Sequence, residues 1–283
     1  MAARRFDAAA LDAIGKPLLV GHLGNRPSAI VWSVRSGRLV RVASAPFAAV
    51  GAACEGGELV VVGREGQTLT IGEDEPRIGT MSGRRASSVL RGAAALAGGG
   101  LVAFGAKGQI HRRWDGRWQP WSIAPPVPGS GLGGAISMST RTIVGGAGRS
   151  DQAWAFADDG AAWVWRGKMW SQAELAASRG WSCAPTRADG LPMAAGPRTL
   201  IVGVGTKWRR VDIGDIVPVA IAAIGDVPIV ADATTLWRIE GRAPRRVLDE
   251  PIRSLTASKK GLLAVGTRDA FVSVDGARWA RLV

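Results

Sequence analysis

The sequence predicts an all-β propeller of seven blades, each a four-stranded antiparallel sheet, and three observations carry that expectation. A short apolar strand ending near Gly recurs seven times, each time followed by a polar turn and a second strand. Runs of small residues precede several of these copies. Glycine supplies 39 of the 283 residues, about twice the usual ~7% share, without the three-residue period of collagen. Meanders of ~40 to 50 residues repeated round an axis build propellers, and seven copies in 283 residues allot about forty to each.

In chain order the paired strands are 17–21 with 29–34, 58–63 with 67–71, 100–105 with 109–118, 142–146 with 152–163, 199–203 with 206–211, 227–231 with 235–239, and 261–266 with 270–279. The first member of each pair is a short apolar run, as a strand buried on both faces should be, and the second alternates apolar and polar. The small-residue runs 91–97 and 219–224 supply an inner strand, because strands nearest a central axis crowd one another and leave room only for Ala, Gly or Val. The spacings between copies are 41, 42, 42, 57, 28 and 34 residues, counted between Leu18, Leu59, Leu101, Ile143, Leu200, Pro228 and Leu262. The long and short values predict an insertion before Leu200 and a pared blade after it, and six blades if the short units merge. Residues 6–14 match the small-residue runs by position. The chain then starts on an innermost strand, ends on an outermost one at 278–283, and closes the ring without a shared blade. A short helix over 8–13 competes, since Ala-rich runs favour helix. One domain over 1–283 is expected, with irregular segments at about 122–141 and 171–198.

Ser273-Val-Asp275-Gly276-Ala-Arg-Trp279, and at matching spacing Ala157-Asp-Asp159-Gly160-Ala-Ala-Trp163, resemble the Asp-box (BNR) hairpin of sialidase-type and photosystem-assembly-type propellers. Both are one residue short between Asp and Trp, and Asp115-Gly116-Arg-Trp118 is shorter still. The resemblance implies that Asp115, Asp159 and Asp275 are structural turn residues, the Asp capping a turn between outer strands and the Trp packing in the blade. It implies no activity.

Thirty-six basic residues against 23 acidic ones give a net charge of +13, which points toward a polyanionic partner. Thirty of the 36 are Arg, however, and the excess is spread over both halves of the chain. Cys54 and Cys183 lie far apart without any CxxC neighbour, and only His22 and His111 accompany them, so neither a metal site nor a cofactor is expected. Stretches such as 93–106 are broken by Gly and fall short of the ~18 to 20 apolar residues of a membrane helix. Asp7 and Asp12 interrupt what a signal peptide would need as an apolar core, so a cytoplasmic setting is expected.

Sialidase chemistry uses a Tyr nucleophile, and the chain has no tyrosine. Asp158, Asp159, Asp232 and Asp275 are candidates for a paired-carboxylate glycosidase, but turn Asp is the ordinary reading of each. Residues 129–134 spell GxGxxG in letters without a preceding strand or a following helix. The expected protein is a non-catalytic scaffold for a protein partner within a larger assembly, as divergent bacterial propellers often are; a nucleic-acid contact or a carbohydrate-binding or hydrolysing role are the rivals. Most of the 12 Trp, including Trp32, Trp114, Trp163, Trp208, Trp237 and Trp279, fall at equivalent repeat positions and read as packing residues. Trp121, Trp170 and Trp181 border the irregular segments and are candidate contacts, with Arg179 and Arg187 beside them. Arg112-Arg113 and Arg209-Arg210 sit at similar strand positions in copies three and five and are candidates for one rim, as against outer-strand charge that discourages edge pairing. The connections from an outer strand to the next inner strand gather on one face, which is where a binding site is expected.

Overall fold

The computed structural model describes residues 3–283 except 13, 82–88, 122–140, 168, 176–179, 186, 188, 205–206 and 242. Blade one is β1 (Arg4–Leu11), β2 (Pro17–Leu23), β3 (Ala29–Arg35) and β4 (Arg38–Ala45); blade two is β5 (Ala49–Glu55), β6 (Glu58–Gly63), β7 (Gln67–Ile71) and β8 (Arg77–Thr80). Blade three is β9 (Leu90–Ala95), β10 (Leu101–Gly105), β11 (Ile110–Trp114) and β12 (Arg117–Pro120); blade four is β13 (Ile143–Gly148), β14 (Gln152–Ala157), β15 (Ala162–Arg166) and β16 (Trp170–Gln172). Blade five holds β17 (Met193–Gly196), β18 (Thr199–Val204) and β19 (Lys207–Asp212); blade six is β20 (Ala220–Ile224), β21 (Val227–Ala231), β22 (Leu236–Glu240) and β23 (Ala243–Leu248). Blade seven is β24 (Ile252–Ser258), β25 (Gly261–Gly266), β26 (Ala270–Ser273) and β27 (Ala280–Arg281). All pairings within these sheets are antiparallel, and seven blades, not six, make the ring.

Blade five has a fourth strand in all but name. The segment 182–185 pairs antiparallel with β17: the Ser182 and Cys183 N–H groups both donate to the Ala195 carbonyl (2.8 and 3.3 Å), Ala195 N–H donates back to Cys183 (3.0 Å), and Met193 N–H to Pro185 (3.3 Å). Cys183, Ala184 and Pro185 line the central channel and no residue of β17 does, so 182–185 is the innermost strand of this blade.

Two of the predicted copies are thereby out of phase. Residues 142–146 fall largely in the innermost strand of blade four instead of its second strand, and 199–203 in the third strand of blade five. The true second strands begin at Pro17, Glu58, Leu101, Gln152, Met193, Val227 and Gly261, spacings of 41, 43, 51, 41, 34 and 34 residues. The apparent insertion before Leu200 and the pared blade after it disappear together. The segment 171–198 holds the end of blade four, a connection, and the two inner strands of blade five. Most of 122–141 lies outside the described residues. Over 8–13, β1 continues to Leu11 as a strand instead of the competing helix, because its alanines are needed as a small inner-strand wall.

The core is divided into seven clusters, one at each interface between neighbouring blades. Closure between blades seven and one uses the same packing as the rest: Phe6, Leu19 and Trp32 bury against Leu263, Val265 and Ala270, with the Phe6 ring edge-on to Trp32 at 5.7 Å. β1 is innermost in its sheet and β27 outermost in the last, so no sheet mixes strands from both termini, as the phase of the repeat predicts. Where inner strands meet at the axis, even a methyl group is excluded. A Cβ on Gly51 would lie 2.5 Å from the Ala93 nitrogen, and one on Gly145 at 2.5 Å from the Ala184 Cβ. Gly51→Ala is therefore expected to cost about 1–3 kcal/mol through overpacking, read as a lower urea midpoint at unchanged slope.

Candidate functional site

Backbone hydrogen bonds tie the outer-to-inner connections to the turns between second and third strands, so these two sets of loops share one face. Examples are Phe6 N–H to Thr267 O (2.9 Å), Leu90 N–H to Arg64 O (2.9 Å), Gly108 N–H to Arg141 O (2.8 Å) and Asp158 N–H to Thr142 O (3.0 Å). The inner strands begin at this face and run inward along a central channel of about 350 Å³.

At the mouth of that channel one device repeats round the ring. In five blades the inner strand carries one extra residue at its start, a β-bulge, and the bulged residues are Asp7, Val50, Arg91, Val144 and Arg253. In blade five Ser182 and Cys183 share Ala195 in the same way, and in blade six the Val219 N–H donates to Ala231, which already faces Ala220. A bulge leaves its extra residue out of the ladder and re-aims the side chain. The residue after the bulge is small throughout: Ala8, Gly51, Gly92, Gly145, Ala184, Ala220 and Ser254. That is the point at which neighbouring inner strands touch. The result is a collar of seven positions, of which Asp7, Val50, Val144, Cys183, Val219 and Arg253 line the channel.

Chemically the collar is mixed. Val50, Val144 and Val219 are apolar, and Val219 is 45% exposed. Arg91 and Arg253 are exposed, and among the described residues neither has a carboxylate partner. Asp7 is engaged by His22, whose Nδ1 lies 2.8 Å from Asp7 Oδ2. An imidazole held in this way is oriented, but among the described residues no hydroxyl or thiol bonds to it. Below the collar the wall carries no charge among its lining residues. Burial pushes both channel thiols, Cys183 in the collar and Cys54 below it, up to about 12, Cys54 with a smaller push from Asp12, which disfavours the thiolate.

The residues singled out from the sequence mostly lie elsewhere. Trp121, Trp170 and Trp181 are interior. The Trp170 indole donates to Trp121 O at 2.9 Å, Trp181 donates to Gly160 O at 2.9 Å, and Trp121 packs on Trp165 and Trp170 with ring centroids at 5.3 and 5.0 Å. An irregular neighbouring segment did not make them surface residues, because each fills the gap between two blades. The exposed indole is instead Trp114, over which the Arg112 guanidinium stacks at 4.4 Å, with Trp121 at 5.0 Å on its other contact. Burial holds Arg112 below the ordinary guanidinium range. Arg113 is a tie between blades: its Nη1 and Nη2 donate to Glu55 and Glu58 of blade two, both at 2.6 Å. Arg187 is likewise buried, paired with Asp189 at 2.6 Å and with Asp226 of blade six. Arg179 lies outside the described residues.

Arg112 and Arg113 stand on a third strand and Arg209 and Arg210 on an outermost one, so the two doublets do not share a rim. Arg209 and Arg210 are exposed on β19, Arg210 reaching Thr199 Oγ1 at 3.3 Å. The outermost strands β4, β8, β12, β19, β23 and β27 all carry Arg, which accounts for much of the dispersed positive charge and blunts the edges against pairing.

The turn aspartates behave as structural groups. Asp275 lies between β26 and β27; its Oδ1 accepts from Ala277 and Arg278 N–H at 2.9 Å each, and Ser273 Oγ accepts from Gly276 N–H at 2.8 Å. Those backbone donors, Arg278 first, hold its carboxyl well below the usual carboxylate range. Asp115 and Gly116 form a two-residue hairpin turn with φ of 50° and 72°. Asp159 caps a turn by accepting from Ala161 N–H (3.1 Å) and pairs with Arg141 (2.8 Å), but this turn joins second to third strand and not the outer pair, because copy four is out of phase. Asp232, a candidate acid, accepts from Thr234, Thr235 and the Trp237 indole, all at 2.8 Å. Burial works against its ionisation, yet these bonds together keep it lowered. The collar itself escaped the sequence reading. Its signal was present as a variable residue followed by Gly, Ala or Ser at the head of each inner strand.

No protein-family model and no curated protein matches the chain. Solved structures do. Virginiamycin B lyase from Staphylococcus aureus superposes with a TM-score of 0.69 at 10% identity over 98% of this chain and 94% of that one. A catalytically inactive histidine-to-alanine variant of that lyase with quinupristin gives 0.70, at 10% identity over 98% and 94%. YCF48 bound to D1 peptide gives 0.67 at 11% identity, over 97% and 92%. At such identities the likeness is one of fold: this chain is a seven-bladed propeller whose fold is found both in an enzyme and in a peptide-bound protein.

Two outcomes follow from the geometry. Arg113→Met, which strands Glu55 while Glu58 keeps Arg77 at 2.8 Å, is expected to destabilise by about 2–3 kcal/mol, below the ~3–5 of a fully buried pair, measured by urea denaturation. A carboxyl held low by the fold stabilises above the ordinary carboxylate range and loses that contribution as pH falls beneath it. Asp275→Asn should therefore melt below the parent at pH ~7, with the gap closing toward pH ~2, in a pH series of thermal scans.

Proposed function

We propose that the protein is a non-catalytic binding ring that holds a protein partner on the face where the inner strands begin. The observation that carries this reading is the bulge collar, which gathers seven side chains at one level, of which Val50, Val144 and Cys183 also pack against the cores between blades while Asp7, Arg91, Val219 and Arg253 belong to none of them. Among the described residues, most of the groups that chemistry would need are otherwise occupied, and the His22–Asp7 pair has no hydroxyl or thiol bonded to it. Asp159, Asp232 and Asp275 cap turns, His111 is buried with Gln109 Nε2 2.9 Å from its Nε2, and both thiols are held protonated. YCF48 with its peptide shows that a propeller of this shape can carry a protein segment; bringing that role to this chain is a proposal, since fold alone does not imply function. The dispersed Arg of the outer edges reads as solubility and edge protection more than as a nucleic-acid track.

Affinity capture of the tagged chain from its own cell lysate, with and without nuclease, tests the reading by mass spectrometry. One or two defined proteins recovered regardless of nuclease are expected. Recovery that collapses with nuclease would transfer the function to nucleic acid, where binding falls steeply with salt.

A further inference from the structure

The geometry points to a carboxylate as the group the collar receives: we propose that an acidic side chain on an extended segment of the partner enters the channel mouth between Arg91 and Arg253. This rests on the protein-binding reading above and specifies the chemistry of the partner.

Arg91 belongs to blade three and Arg253 to blade seven, three steps apart in a ring of seven, as near to opposite as such a ring allows. Arg253 lines the channel mouth and Arg91, exposed, holds the equivalent bulged position nearly opposite, so a single anion over the mouth can be approached from two sides. Asp7, the acid among the seven collar positions, is held by His22 at 2.8 Å, and no described carboxylate pairs with Arg91 or Arg253, which leaves the two guanidinium groups to an outside carboxylate. Arg is suited to this by its forked, charge-assisted donors. Valines flank the cations round the ring, Val50 and Val144 beside Arg91 and Val219 beside Arg253, and Val217, 57% exposed, continues the apolar surface outward. An acidic residue with apolar neighbours fits that alternation. A nucleic acid fits it poorly, because a phosphate chain is bound by successive cations along a groove, whereas Arg91 stands between Val50 and Val144 and Arg253 between Val219 and Asp7. The Ala- and Gly-lined channel of about 350 Å³ has room for one carboxylate side chain and water, but not for a helix.

Fluorescence anisotropy on the full chain, with labelled short probes at physiological salt, tests the inference. The probes are a peptide alternating Asp and Leu, its Asn and Leu counterpart, and an oligothymidylate. The Asp peptide is expected to bind at least ~10-fold more tightly than the Asn peptide, and Arg91→Gln with Arg253→Gln to abolish that difference at unchanged melting temperature. Should the Gln pair fail to fold, Arg91→Lys with Arg253→Lys keeps the charge and is expected to retain the preference for Asp. Equal affinity for the two peptides, or full binding by the Gln pair, overturns the proposal. Oligothymidylate binding that exceeds the Asp peptide and vanishes in the Gln pair overturns it in favour of a nucleic acid. In the lysate capture, defined proteins held equally by the Gln pair would leave the protein-binding reading standing and remove the collar from it. A parent chain that captures no protein yet still prefers the Asp peptide would remove that reading and leave the collar's chemistry intact.

Discussion

Seven inner strands converge on one axis, and the space they leave each other governs this molecule. At the contact between neighbouring strands there is no room for a methyl group on Gly51 or Gly145. That restriction selects the Ala and Gly runs, and those runs in turn leave little apolar surface in the centre. The hydrophobic core has to form between blades, and it does so seven times over. Each blade depends on both neighbours, so the ring is held by its closure as much as by any one sheet.

The charged groups divide according to the same geometry. Where two blades meet near their lower turns, buried cations such as Arg113 and Arg187 bridge carboxylates of the adjoining blade and are matched by them. At the perimeter, Arg residues point to water from the outermost strands. At the collar Arg91 and Arg253 stand exposed next to valines of the neighbouring blades, and neither pairs with a carboxylate among the described residues. Net charge alone therefore misleads, since many of the arginines behind the +13 stand on outer edges or in ion pairs between blades.

Much of the fold was legible in the chain because inner-strand crowding writes directly into composition: 91–97 and 219–224 could hardly be anything but axial strands. Blades four and five were misphased for an equally physical reason. Ile143-Val-Gly-Gly is apolar and ends in Gly, as a second strand does, and nothing in the letters reveals which neighbour it will pair with. The inner strand of blade five is too short and irregular, at 182–185, to announce itself. The functional residues were harder still. Trp121, Trp170, Trp181 and Arg187 border irregular segments, yet they are buried as packing groups and a tie. The collar depends on a one-residue excess in pairing, which is a property of two strands together and is absent from either alone.

Asp7, Arg91, Val219 and Arg253 of the collar stand outside the seven cores, Val50, Val144 and Cys183 pack partly against them, and the position that follows each is Ala, Gly or Ser. At Asp7, Val219 and Arg253 the residue that lines the mouth and the small residue that packs beside it are thus adjacent but separate. Substitution at these positions changes what the mouth presents while leaving the packing between blades in place. Such a frame offers a designer a few separable sites around a single opening.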